Sequence, residues 1–332
     1  MKRAYAVACA AHAGDVKDSD GSPYVQHPIG VARLLCEAGY DEEILAAALL
    51  HDVLERSELT VGEIGESFGA RVAELVAALT EPTPLEGSED PKAVLRRQVV
   101  AVGPDAEAIF AADKVDKTSN VRRISADVGV ETVADRLERP LDDKLRHYEA
   151  TLDLLEHASR EPPLLDRLRD ELDALQGMRR GAEAYELARI AADAITRLDP
   201  EPLVEVCQPD VEWWPALTLG TGGGPYRGHD GIRRYVKDVA QAWDELVTVV
   251  HEHRHEGNRL MVICDIRGRG RVTRRPLDQQ SAVVYWLDEN RIACAKTYLD
   301  AGDVPVSAFG GPTRRSGASS LLTSAVALLL PS

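Results

Sequence analysis

A histidine–aspartate pair, His51-Asp52, directly follows seven consecutive apolar residues, 44–50, and few sequence features restrict a fold more. Ile44, Leu45, Ala48, Leu49 and Asp52 fall on adjoining positions of a helix over residues 42–56, with apolar side chains on its inner face. An ionisable pair buried at the end of such a helix costs on the order of several kcal/mol unless something compensates it. A cation is one compensation, and imidazole with carboxylate suits Mn2+, Fe2+, Co2+ or Zn2+ better than Ca2+. Two neighbours on one helix cannot complete a metal site, so other helices must contribute. His27, with Pro28 after it, begins one helix; Asp113 sits at the polar edge of another, after Phe110-Ala111-Ala112. Two histidines and two carboxylates from three helices would leave room for water and substrate.

With 332 residues the chain exceeds what one compact core usually holds, so two domains are expected. Residues 1–159 read as all-helical. Residues 61–79 form a second helix, with Val72, Leu75, Val76 and Leu79 at three- and four-residue spacing. Gly103-Pro104 opens a third through Asp113, and 145–157 a further one. Residues 4–13 read as a first helix rather than a signal peptide, because His12 and Gly14-Asp15 interrupt the apolar run. Residues 160–180 read as a closing helix and linker. The composition then changes: all four tryptophans lie beyond it. In 181–310, helices over 182–198 and 231–243 precede strands over 246–251, 260–266 and 281–287. Asp288-Glu289-Asn290 is the expected hairpin turn. Helices followed by several antiparallel strands give an α+β domain. Residues 311–332 read as a tail, whose apolar run 321–330 is too short to span a bilayer as a helix.

A net charge of −16 opposes general nucleic-acid binding, though a metal and a few lysines can still hold a small anion. Five scattered cysteines, with no Cys-x-x-Cys pair, argue against a disulfide framework or a cysteine-based zinc site. They fit a reducing, cytoplasmic compartment.

Ala10-Ala11-His12-Ala13-Gly14, then Gly21-Ser22-Pro23-Tyr24-Val25-Gln26-His27-Pro28, then Ala47-Ala48-Leu49-Leu50-His51-Asp52-Val53-Leu54-Glu55 resemble the hydrolase domain of the RelA/SpoT group. Phe68-Gly69, Leu79-Thr80 and Ala111-Ala112-Asp113-Lys114 fit the same pattern. The resemblance implies an all-helical HD domain that binds Mn2+ and removes the 3′-pyrophosphate of guanosine tetra- or pentaphosphate (ppGpp). It implies His27, His51, Asp52 and Asp113 as metal ligands, and Glu55 with Asp52 as the catalytic pair, Glu55 activating or positioning water. It places Lys17, Lys114, Lys117, Asn120 and Arg122 against the phosphates or nucleoside, and His12 behind the ligands. Arg56 departs from the pattern, which has a second acid after Glu55. The loop over residues 15–22 is about one residue longer than the pattern. Asp116 through Asn120 offers a competing Asp-Lys-x-x-Asn spacing; the Phe-Ala-Ala-Asp-Lys context favours Asp113, with Asp116 in reserve. No synthetase domain of the group is expected to follow.

Residues 181–310 resemble a SnoaL-like, NTF2-type domain, through Pro209-Asp210-Val211-Glu212-Trp213 and Tyr226-Arg227-Gly228-His229-Asp230-Gly231-Ile232-Arg233. That implies a cone of curved sheet and helices around an apolar pocket, which Trp213, Trp214 and Tyr298 could line, though core packing is the expected role of at least two of them. It leaves room for an apolar small molecule and for a homodimer through this domain. Residues 220–224 are glycine-rich without a phosphate-cradle signature, and His251, His253 and His255 read as a solvated strand face. Asp265 and Asp300 are candidate bases only in a dry pocket. The expected partner is therefore a small phosphorylated nucleotide, with no nucleic acid, no membrane and no organic cofactor. Two rival readings are a nucleotide sensor silenced by Arg56, and an isomerase or cyclase acting through the second domain.

Overall fold

The computed structural model describes residues 1–83, 90–158, 164–215, 224–305 and 308. The chain divides into two compact units, Met1–Arg179 and Arg180–Ser332. Among the described residues no helix is long and apolar enough to cross a membrane.

The first unit is helical throughout: α1 (Lys2–Ala11), α2 (Gln26–Glu37), α3 (Glu42–Leu50), α4 (Val53–Arg56), α5 (Val61–Phe68), α6 (Ala70–Leu79), α7 (Pro91–Val102), α8 (Pro104–Val128), α9 (Val130–Ala134) and α10 (Leu141–His157). Local chemistry sets the boundaries. The Asp41 carboxylate accepts from the backbone N–H of Glu43 and Ile44 and starts α3. Thr60 and Glu63 form a reciprocal cap on α5. Gly103, at φ 107°, stops α7, and Pro104 opens α8. The middle of α8, from Ala106 to Val115, is buried, and the helix packs against α2, α3, α6 and α7. Leu35, Leu50, Ile109 and Phe110 are fully enclosed, each stabilising the fold by roughly 1.5–3 kcal/mol.

Two expected helices are broken in ways that matter. The helix expected over 42–56 stops at Leu50, turns at His51-Asp52 and resumes as α4. Glu55 is therefore not one regular helical turn beyond His51. The helix expected over 61–79 is split by Gly69, whose φ of 95° only glycine adopts readily. The opposite correction applies further on. Residues expected to form a closing helix, a linker and another helix are one 33-residue helix, α11 (Leu165–Arg197), which continues through the boundary at residue 179.

The second unit adds α12 (Pro200–Val206), β1 (Cys207–Trp214), β2 (Tyr226–Arg227), α13 (Gly228–Ala242), β3 (Trp243–Glu256), β4 (Arg259–Gly270), β5 (Pro276–Asp288) and β6 (Arg291–Tyr298). The sheet order is β2-β1-β6-β5-β4-β3. Its pairs are antiparallel except β1 with β6, which run parallel, against the all-antiparallel expectation. Glu289 and Asn290 turn the β5–β6 hairpin with φ of 45° and 58°, as a two-residue turn demands. One sheet face packs on Ala184, Ala188, Ala191 and Ile195 of α11 and on α12 and α13.

Trp213 is fully buried in that core, whereas Trp214 and Tyr298 flank the Lys296 ammonium instead. Of the three strand histidines, His251 and His253 are exposed and His255 is half-buried, and each has its own neighbour. His251 pairs with Asp265 at 3.0 Å, His253 stacks on Tyr185, and His255 lies against Gly181 of α11. Asp265 also pairs with Arg267, and Asp300 accepts from the Gly302 backbone, so neither stands in a dry pocket as a free base. Of the glycine-rich stretch only Gly224 is described, and the tail over 311–332 lies outside the described residues.

Candidate metal centre and its cavity

His27 sits in the first turn of α2, His51 and Asp52 occupy the turn between α3 and α4, and Asp113 lies midway along α8. These three stretches bring four donor atoms together. His27 Nε2 lies 3.0 Å from Asp113 Oδ1 and 3.7 Å from Asp52 Oδ2. His51 Nε2 lies 3.3 Å from Asp52 Oδ2 and 3.7 Å from Asp113 Oδ1. The break after Leu50 is what lets both members of the pair turn inward. Among the described residues, His27, His51 and Asp113 are the one group of three or more such side chains whose donors converge. All four residues are at most 8% exposed.

The other ring nitrogens are already committed. His27 Nδ1 is 2.8 Å from Asp116 Oδ2, and His51 Nδ1 is 2.8 Å from the Ala48 carbonyl oxygen. With Nδ1–H donated, each Nε2 is the nitrogen that would offer its lone pair to a bound cation. His27 Nε2, His51 Nε2 and Asp113 Oδ1 are buried without a hydrogen-bond partner among the described residues. Such orphaned atoms are costly unless a cation satisfies them. The donor set, two imidazoles and two carboxylates, fits a divalent transition metal. Asp113 and Asp116, three residues apart on α8, thus reach opposite nitrogens of one imidazole, Asp113 at the cluster and Asp116 behind it.

Opposite charges interlock in the cluster. Burial opposes ionisation of Asp52 and Asp113, but His51 and Lys117 at the first, and Lys114 and Lys117 at the second, hold both carboxyls well below the usual range. Burial alone would depress His51; the adjacent Asp52 and Asp113 outweigh it and raise the imidazole to about 10. Lys114, buried over the Phe110 ring and against Asp113, is lowered to about 8 by burial.

The cluster opens onto a cavity of about 890 Å3 whose walls include His27, Asp52, Glu55, Arg56, Lys17, Lys114, Lys117 and Asn120. Glu55 is exposed there, with Oε1 accepting from the Glu81 backbone N–H at 2.8 Å. Lys117 Nζ is 2.7 Å from Asp113 Oδ1. Asn120 donates to Ser19 Oγ at 2.8 Å, tying α8 to the loop that carries Lys17. His12 is buried beside Tyr24 and 3.5 Å from Asp15, near the four donors but not among them.

Arg122 is the correction. It does not line the cavity; its guanidinium pairs with Glu171 of α11, a partner 49 residues away. Sequence reasoning also gave no role to several residues of the site. Tyr24 donates its hydroxyl to Asp52 Oδ2 at 2.7 Å. Lys144, His147 and Tyr148 of α10, with Lys92 and Arg96 of α7, form a further wall. Arg96 donates to His147 Nδ1, and burial with Lys114 nearby lowers that imidazole to about 2, so it is neutral. The Lys144-x-x-His147-Tyr148 stripe on one helix was the available signal.

Comparison with known proteins follows the same division. Residues 4–135 match the family model of the HD domain, and residues 188–295 that of the SnoaL-like domain. A guanosine-3′,5′-bis(diphosphate) 3′-pyrophosphohydrolase of Vibrio cholerae is 37% identical over 129 residues, 38% of this chain and 18% of that protein. The guanosine-3′,5′-bis(diphosphate) 3′-pyrophosphohydrolase MESH1 of Danio rerio is 40% identical over 113 residues, 32% of this chain and 60% of that protein. The chain therefore spans under a fifth of the first relative and three fifths of the second. Among solved structures, an NTF2-like protein of unknown function from Burkholderia pseudomallei is 21% identical, covering 39% of this chain and 98% of its own, with a TM-score of 0.33.

Proposed function

We propose that this chain, an HD domain followed by a SnoaL-like domain, is a divalent-metal-dependent phosphohydrolase of a phosphorylated nucleotide that removes the 3′-pyrophosphate of guanosine tetra- or pentaphosphate. The observation that supports it is the convergence of His27, His51, Asp52 and Asp113 beside a cavity of nucleotide size walled by lysine and arginine. Both relatives carry that activity in their names.

When bound, a divalent ion lowers the pKa of a water and polarises a phosphoryl oxygen. Mn2+ is the first metal to test, with Zn2+, Fe2+ and Co2+ as alternatives. The chain's own residues do the rest. Asp116 and the Ala48 carbonyl hold the two imidazoles in the tautomer a cation requires. The Glu81 N–H fixes one oxygen of Glu55 and leaves the carboxylate at the cavity to accept a proton from the attacking water. Lys17, Lys114, Lys117 and Asn120 carry charge and hydrogen bonds to the phosphates. Water adds to the phosphorus, the bond to the 3′ oxygen breaks, and that oxygen takes a proton as pyrophosphate leaves. The second unit is proposed, on fold alone, as a small-molecule-binding or dimerisation module.

The test is metal analysis of the purified chain, followed by a screen for pyrophosphate release from nucleotides with and without Mn2+. About one metal per chain and Mn2+-dependent release from ppGpp, abolished by EDTA, are expected. Tight nucleotide binding without release would favour the sensor reading. Turnover of a ketone unaffected by EDTA would move the chemistry to the second domain.

Metal loading is also expected to release protons. Asp52 and Asp113 favour the protonated form of His51, and a cation bound at Nε2 would displace that proton. Apparent affinity for Mn2+ should fall as pH is lowered through the range where the imidazole keeps its proton. Titration in two buffers of different ionisation enthalpy counts the proton; zero release would contradict the arrangement.

A further inference from the structure

Arg56 stands where the resemblance calls for a second acid, and its surroundings give it a different task. Its guanidinium lies over the Tyr24 ring, 5.4 Å from the centroid, and the same tyrosine donates to Asp52 Oδ2. That contact is within cation–π range and keeps the guanidinium at the cavity wall, where its N–H groups can meet an oxyanion. Three other cations of the cavity are committed to carboxylates, Lys92 to Glu81, Lys144 to Asp18 and Lys117 to Asp113. Lys17 and Arg139 line it without an ion pair among the described residues, so what sets Arg56 apart is its place over Tyr24, which touches the cluster. Arg56 has no carboxylate partner among the described residues, and the neighbouring Glu55 is engaged by a backbone N–H.

Resting on the hydrolase reading above, we infer that Arg56 is an anion anchor that holds the outer phosphoryl group of a diphosphate whose inner group lies at the metal centre. Tyr24 touches both the guanidinium and the cluster, so an anion held by Arg56 would lie next to one held at the cluster, as the two phosphoryl groups of a diphosphate do. Arginine offers two parallel N–H bonds to such a group, which an acid at this position would repel. Arg56 is in this sense a specificity-determining residue, selecting pyrophosphorylated over monophosphorylated substrates.

Inorganic pyrophosphate and inorganic phosphate are the probes, titrated by calorimetry into the full chain as purified with no metal added, so that pyrophosphate is not diverted by free Mn2+. Arg56→Gln is expected to weaken pyrophosphate binding by about tenfold or more and phosphate binding by less than about threefold. Arg56→Lys should fall between wild type and R56Q, and the metal content and melting temperature of both variants should match wild type. Equal pyrophosphate affinity in wild type and R56Q, equal loss of both probes, or no pyrophosphate binding by wild type would each overturn the inference. Because these readouts involve no turnover, a chain that binds pyrophosphate through Arg56 yet hydrolyses no nucleotide would sink the hydrolase reading and leave this one standing.

Discussion

His51→Gln and Asp113→Asn are each expected to leave the purified chain nearly metal-free and to lower nucleotide hydrolysis by about a thousandfold or more. Either change removes one of four donors that lie within 3.0–3.7 Å of their neighbours. The stabilisation a metal gives to developing phosphoryl charge is several kcal/mol, and about 4 kcal/mol corresponds to three powers of ten in rate. Both changes also bear on the stability of the fold. Asp113 also balances the buried Lys114 and the half-buried Lys117, so its neutralisation strands charge and should destabilise the fold by about 3–5 kcal/mol. His51 also faces the buried Asp52 and Asp113, so its replacement should cost both the metal and part of the fold's stability. Metal per chain, measured beside thermal unfolding, separates loss of the ion from loss of the fold. A His51→Gln protein that keeps its metal and its rate would dismantle the proposed centre.

Much of this centre was legible before any coordinates, because its residue types are rarely buried without a reason. A histidine and an aspartate after seven apolar residues demand compensation. The helix boundaries at Asp41, Thr60 and Gly103-Pro104 were set by side chains acting on their own backbone. What stayed hidden depended on distant partners or on continuity. The apolar spacing over residues 42–56 runs straight through His51-Asp52, so periodicity alone gives no break there. Along α11 the composition shifts from charged to alanine-rich midway, which reads as a boundary although helical hydrogen bonding continues. Arg122 met Glu171 through a pairing that no local pattern encodes.

Asp113 and Asp116 posed the sharpest ambiguity. Residues three apart on a helix share a face, so both carboxylates point toward α2 and either can meet His27. Spacing cannot tell which reaches Nε2 and which Nδ1. The structure sets Asp113 Oδ1 at 3.0 Å from Nε2 and Asp116 Oδ2 at 2.8 Å from Nδ1, the positions that the proposed ligand and the group orienting His27 would take.

Gly30→Ala is expected to weaken Mn2+ binding by about 10–100-fold although Gly30 touches no metal ligand. Gly30 lies on α2, three residues after His27, and a Cβ built there would fall 2.0 Å from Asp116 Oδ1 and 2.8 Å from its Cγ. Aspartate is short, so relief means moving the whole carboxylate and giving up its contact with His27 Nδ1. The imidazole then loses the partner that fixes its orientation and tautomer. Helix propensity works the other way, since alanine in a helix interior is favoured over glycine by about 1 kcal/mol, so global stability should change little. The route can be isolated with a second change. Asp116→Ala should itself weaken metal binding, and it clears the space a Cβ at position 30 needs. In that background Gly30→Ala should cost almost nothing further, giving a coupling energy close to the whole single-mutant effect. If the two changes instead add independently, the glycine acts by disturbing α2, and Asp116 is not the intermediary between that helix and the metal.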